Sequence, residues 1–282
     1  MILFEPVAAR STWPGLAAGG HVTALVDVDP DLFRLLPPER QSTARGAIPV
    51  RVVTLPRGPW PVERLAAGAT HLGVLVVDGM LGRELIADDV TSTELLGPGD
   101  VLRPWDEAAP SELLEAIVRW SALAQTRLAI LDRHVALRLA DYPEIHAALL
   151  ERCAWRARRL AVLQTISQLN RVDRRVLTLL WHLAERWGRV TPDGVVLPLS
   201  LSHRMLGQLV GARRPTISTA LATLTRAGEV ARGEAGTWVL TGRPVGAPDP
   251  RAASSVAPRR PMLPKETMPS LAGLGLRGVD GR

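Results

Sequence analysis

Cysteine is almost missing from this sequence: Cys153 stands alone among 282 residues. One thiol excludes an internal disulfide framework, a four-cysteine zinc site and an all-cysteine iron–sulfur cluster held by a single chain. Lysine is as scarce, since Lys265 is the only one and 33 of the 34 basic side chains are arginine. A GC-rich genome produces that replacement, so the number of arginines says little about a polyanionic partner. Long apolar runs are lacking too. The longest, His71 to Leu81, contains Asp78 and is too short to span a bilayer. No basic leader accompanies Glu5 and Pro6. The expectation is a protein of the reducing cytoplasm with no membrane partner. Catalytic signatures are also missing: there is no P-loop, no H-E-x-x-H and no G-x-S-x-G. The carboxylate pairs Asp88-Asp89 and Asp106-Glu107 sit in turn-like contexts that favour solvated charge. Gly273 to Gly278 fits the dinucleotide fingerprint by letter, but no strand precedes it and no helix follows. No catalytic residue and no metal ligand set emerges, and an enzyme is the class least supported.

What is present is room for about two domains, each able to bury a core. Hydrophobic content of 46% and charged content of 22% are ordinary for a globular chain. The charge is unevenly placed. Residues 1–140 carry 13 arginines against 17 acids, residues 141–242 carry 14 against 8, and residues 243–282 carry 7 cations against 3 acids. An acidic front joined to a basic back is the asymmetry of a regulatory domain coupled to one that binds a polyanion.

Along the chain the hydrophobic period changes once. Asp29-Pro30-Asp31 reads as a helix start, followed by Leu32, Phe33, Leu35 and Leu36, with Pro37-Pro38 interrupting it. From Ile48 to Leu137 the texture is β, in short runs such as Val50–Leu55, His71–Val77 and Arg127–Leu131. Turn chemistry separates them at Pro56-Arg57-Gly58-Pro59, Asp78-Gly79 and Gly97-Pro98-Gly99-Asp100. Such spacing predicts an antiparallel roll or sandwich. Residues 111–119 read as helically as they do extended. After Pro143, Ile145, Leu149, Cys153, Leu160, Leu163 and Ile166 fall near helical spacing, with Arg152, Arg156, Arg158 and Arg159 on other faces. A helix of roughly 25 residues ending near Asn170, about 40 Å long, fits that pattern. Helices of this kind often form the seam of a dimer. A second helix over Val172–Trp187 presents Val176, Leu177, Leu180, Leu183 and Ala184 on one face, with Gly188 as C-cap.

The segment after it is the most informative. Ser202 caps a short helix, His203–Val210; Gly211 makes a tight turn; and a second helix follows with Pro215 in its first turn. Gly207 is expected where two helices cross closely, and Gly211 supplies a turn conformation that a Cβ resists. Ile217, Leu221 and Leu224 give the second helix a buried face. Arg213, Arg214, Thr216, Ser218 and Thr219 are left near its N-terminal end, pointing outward. Free N–H groups and the helix dipole favour phosphate there, and arginine and hydroxyl side chains reach base edges. Two short strands, Val230 to Arg232 and Thr237 to Leu240, then flank Gly233-Glu234-Ala235-Gly236 as a β-hairpin wing.

Residues 199–242 resemble the winged helix–turn–helix of the Crp/Fnr transcription regulators. The pattern Leu206-Gly207-Gln208-Leu209-Val210-Gly211, then Arg214, Thr216, Leu221, Leu224 and Gly228, carries the resemblance. It extends more weakly over nearly the whole chain. The resemblance implies an α+β fold: an N-terminal antiparallel β-roll of cyclic-nucleotide-binding type over 1–140, a dimerisation helix over 141–170, the winged helix–turn–helix over 171–242, and a disordered tail over 243–282. It implies a bacterial, sequence-specific regulator acting as a homodimer on double-stranded DNA, with RNA polymerase as a further partner. Ser202 and Gln208 become phosphate contacts and Arg214 a base-reading arginine. This sequence departs from the family where Pro215 replaces a glutamate and Thr219 a second arginine. After Gly97-Pro98-Gly99-Asp100 it also lacks the Gly-Glu and the Arg-Ser or Arg-Thr pairs that hold a cyclic phosphate. Cyclic AMP is therefore not expected at the usual site, since a buried phosphate needs that cradle. No cofactor is expected, and the effector is unknown. Haem ligation would have to use Cys153 or one of the histidines 21, 71, 134, 146, 182 and 203, each more often an ordinary residue. The competing reading is a β-roll that binds a protein partner, with a vestigial DNA-binding domain.

Overall fold

The first described strand, β1 (His21–Ala24), runs into a single helical turn, α1 (Leu25–Val28). The computed structural model describes residues 20–62, 72–105 and 116–242, which lie within one unit, Met1–Gly242. The expected tail over 243–282, the glycine-rich match at 273–278, Asp106-Glu107 and positions 111–115 of the ambiguous segment lie outside the described residues. The Asp29-Pro30-Asp31 signal starts a 3-10 turn, Pro30–Phe33, in which Asp29 Oδ1 accepts from Asp31 N at 3.2 Å. Pro38 opens α2 (Pro38–Ala47) and does not only end what precedes it. Its missing N–H costs nothing in the first turn of a helix.

The roll follows. Its strands are β2 (Pro49–Leu55), β3 (Gly58–Pro59), β4 (Gly73–Asp78), β5 (Leu81–Ala87), β6 (Val90–Leu96), β7 (Val101–Leu102), β8 (Ala116–Ala122) and β9 (Thr126–Leu131). They form two antiparallel sheets, ordered β1-β2-β9-β4-β7 and β3-β8-β5-β6. Residues 116–119, readable either way in sequence, are strand. The first sheet is buried on both faces, which explains its continuous apolar runs. Val74, Val76, Leu128 and Ile130 point into the roll with Leu81, Leu96 and the Trp60–Trp120 pair, whose rings meet edge to face at 5.7 Å. Leu75, Ala129 and Leu131 point the other way, toward Leu32, Phe33, Ile145 and Leu149.

β texture was expected to continue to Leu137, yet residues beyond Leu131 turn helical as α3 (Arg133–Leu139). Asp132 is the cause, its carboxylate accepting from Val135 N at 3.0 Å as an N-cap. The long helix α4 spans Pro143–Ser167. Its apolar stripe corrects the sequence expectation. Ile145, Leu149 and Ile166, offered as part of a seam between chains, are buried within this chain. The face left open carries Leu150, 71% exposed, and the exposed Ala154, Ala157 and Ala161.

The remainder is α5 (Val172–Trp187), β10 (Arg189–Thr191), β11 (Gly194–Leu197), α6 (His203–Val210), α7 (Arg214–Arg226), β12 (Val230–Arg232) and β13 (Trp238–Leu240). The expected face of α5 is buried. The wing is larger than the sequence reading: β10 and β11 join it in a four-stranded sheet, β10-β11-β13-β12. The Asp193-Gly194 pair, with Gly194 at φ +135°, was the available signal for that added hairpin.

Candidate nucleic-acid interface

The helix–turn–helix is built by local capping. Ser202 Oγ accepts from Met205 N at 3.1 Å and starts α6. Gly211 ends it in the left-handed region, at φ +66°, where a Cβ is disfavoured. Gly207 is tight for a reason other than the expected helix crossing. The turn folds back on it, Ala212 N donating to Gly207 O at 2.9 Å, and a Cβ there would run into the Ala212 carbonyl. Ile217, Ala220, Leu221 and Leu224 bury the inner face of α7.

Five of the seven candidate contacts converge on the outer start of α7. Arg213, Arg214, Thr216, Ser218 and Thr219 are all exposed there. No side chain caps the helix, so its first N–H groups remain available to an anion beside two arginines. Ser218 Oγ donates to Arg214 O at 3.2 Å and lies 2.9 Å from His203 Nδ1, while Thr219 Oγ1 donates to Pro215 O at 3.3 Å. These bonds tie both hydroxyls to the helix backbone. Ser202 is exposed, and its oxygen is engaged in the cap.

Gln208 is placed differently. It is half-buried against the roll, its Oε1 accepting from Thr93 Oγ1 of β6 at 3.3 Å. Beside it, Asp89, Val90 and Thr91 at the β5–β6 tip face Arg204, Arg213 and Arg214 across a groove of about 400 Å³. An acidic hairpin tip thus stands over the arginines of the helix–turn–helix.

The sequence reading missed the ion pairs joining the roll to the helices. Glu94, 8% exposed, receives both Nε and a terminal nitrogen of Arg156 at 2.8 and 2.9 Å. Asp100, 3% exposed, pairs with Arg159 of α4 and, at 2.8 Å, with Arg186 of α5. Arg186 also donates to Pro98 O at 2.7 Å. Arg152 lies 3.3 Å from Asp29. The arginines assigned to other faces of α4 include three, 152, 156 and 159, that share the face of Ile145 and Leu149. Their spacing of four and three was the signal. Arg103 stacks near the Trp105 ring, at 5.8 Å. Among the described residues no three His, Cys, Asp or Glu groups are placed to hold a metal ion, and no helix is long and apolar enough to cross a membrane.

Residues 174–241 match the family model of the Crp-like helix–turn–helix domain. Among solved structures, a CooA mutant from Carboxydothermus hydrogenoformans superposes with a TM-score of 0.53 at 18% identity, covering 68% of this chain and 84% of that one. FixK2 from Bradyrhizobium japonicum gives 0.51 at 18% identity, over 69% and 93%. A cyclic nucleotide-binding domain containing protein from Listeria monocytogenes gives 0.51 at 15% identity, over 67% and 88%. These likenesses show the fold. Among curated proteins there is no match.

Proposed function

We propose that this chain is a DNA-binding transcription regulator of the Crp/Fnr type that reads a two-fold operator as a homodimer through the start of α7. One observation carries the reading: Arg213, Arg214 and Thr216 stand exposed beside the uncapped N-terminus of α7. Arg214 reads a base edge, and Arg213, Ser202 and the free N–H groups hold phosphates. Thr216, Ser218 and Thr219 complete the contact. Two copies would meet along the open face of α4, where Leu150, Ala154, Ala157 and Ala161 recur at spacings of four, three and four. Their recognition helices would then enter major grooves about 34 Å apart. The protein works in the cytoplasm, carries out no chemistry itself, and acts on RNA polymerase from the bound operator.

Gln208 accepts from Thr93 through Oε1, which leaves the donors of its amide nitrogen for a phosphate, so the roll orients this contact. The effector is not cyclic AMP at the usual site. Tight stoichiometric binding of cyclic AMP in calorimetry, lost on Arg103→Ala, would overturn that statement.

The test is selection of bound sequences from random DNA, followed by fluorescence anisotropy on the selected operator at fixed salt. Arg214→Ala should cost about 1–3 kcal/mol on that operator and relax preference at one base pair. Equal loss on selected and random DNA would remove the base-reading role. No enrichment of any sequence would favour the protein-binding roll with a vestigial DNA domain.

A further inference from the structure

A cleft of about 530 Å³ opens where the turn Pro98–Asp100 of the roll meets α4 and α5. That volume lies in the range of small-molecule sites. Four guanidiniums line it: Arg152, Arg158 and Arg159 from α4, and Arg186 from α5. Two carboxylates, Asp100 and Glu185, line the cleft with them. Asp100 is one carboxylate shared between Arg159 and Arg186. Glu185 stands at the rim, 77% exposed and 3.3 Å from His182 Nδ1. Arg152 turns to Asp29 at 3.3 Å and Asp31 at 3.7 Å; burial above all raises the Asp29 carboxyl from its ordinary value, against the pull of that arginine. Arg158 meets no carboxylate among the described residues; its guanidinium lies 5.9 Å from the ring of Trp155.

The surplus is felt inside the cleft. Burial above all holds Arg186 below the usual arginine value, against the pull of Asp100, and the neighbouring Arg159 and Arg152 push the same way. Clustered, half-desolvated cations of this kind are relieved by an entering anion. Planar guanidinium forks match phosphate oxygens in pairs. The wall beside them is aromatic: Trp155 lines the cleft and keeps 52% of its surface open. An indole face so placed accepts a stacked ring.

We propose that this cleft binds a phosphorylated small molecule carrying an aromatic ring, of mononucleotide size, with its phosphate among the arginines and its ring on Trp155. The site is formed between the turn Pro98–Asp100 and the two helices, and residues 101–105, where the cyclic-nucleotide pattern is missing, do not line it. Its position supplies a consequence. Asp100 belongs to the roll, Arg159 to the long helix and Arg186 to the DNA-binding half. A phosphate competing with Asp100 for the two arginines loosens the clamp among all three.

Titration calorimetry on the full chain, without DNA, tests this with 5′-AMP, 5′-GMP and 5′-UMP, and with adenosine as the uncharged control. Saturable binding of one nucleotide per chain is expected, with no binding of adenosine. Arg158→Ala and Trp155→Ala change exposed side chains and should leave the melting temperature unchanged. Each should weaken the nucleotide at least tenfold. The proposal is overturned if none of the three nucleotides binds saturably, or if binding keeps its strength in both variants. Because binding is read without DNA, its failure leaves the operator reading untouched, and a failure to find an operator leaves this site standing.

Discussion

At the scale of single residues, the helix–turn–helix depends on two glycines for different reasons. Gly211 is needed for its backbone angle, since the turn holds φ at +66°. Gly207 has ordinary helical geometry and is needed for space, because the Ala212 carbonyl occupies the position of a Cβ. Alanine normally favours a helix over glycine by about 1 kcal/mol. Here the forced shift of the turn should exceed that gain. Gly207→Ala is therefore expected to destabilise the fold by about 1–3 kcal/mol in urea unfolding. Operator affinity should fall with it, because the turn sets the start of α7. An unchanged unfolding midpoint would show that the turn can move aside at no cost.

Among the elements, α4 uses its two faces for different purposes. Ile145, Ala148 and Leu149 belong to the roll's outer core, and Arg152, Arg156 and Arg159 continue that face as ion pairs to Asp29, Glu94 and Asp100. The opposite face is open, small-sided and apolar, which suits close approach of a second helix. Placing a charge in that seam should separate two copies. The parent chain is expected to sediment as a dimer, and Ala157→Glu as a monomer that binds an operator half-site only. Its helix should survive, since glutamate is a good helix former and position 157 is exposed. A dimer that persists in Ala157→Glu would move the interface off this face.

In the molecule as a whole, buried carboxylates tie the roll to the helices. Asp100 also accepts from Gly97 N at 2.9 Å, so the turn and the two arginines converge on one group. Asp100→Asn keeps an acceptor for that N–H and removes the charge. Breaking one side of a buried ion pair costs roughly 3–5 kcal/mol. Here the side chains of Arg159 and Arg186 keep 25% and 21% of their surface in solvent. Screening reduces the expected loss to about 2–3 kcal/mol, measurable by denaturant unfolding. Proteolysis near residues 168–171 should rise with it, because the clamp spans that joint.

Much of this molecule was already legible in its sequence, because short-range physics decides it. The apolar period of 172–187, the Ser202 cap, the Gly211 turn and the exposed start of α7 each depend on neighbours a few residues away, and each stands where the sequence puts it. The strands of the roll were readable from turn chemistry for the same reason. What only the tertiary structure decided was partnership across long separations. Arg152, Arg156 and Arg159 look like solvated charge until Asp29 is brought to the first from 123 positions away, and Glu94 and Asp100 to the other two from 62 and 59. Gln208 looks like a free surface amide until Thr93 arrives at its Oε1 from 115 positions away. Cysteine scarcity removed one class of sensor at the outset. The arginines that remained acquired meaning only through the carboxylates they face, because a charge has a role only relative to what shares its low-dielectric surroundings.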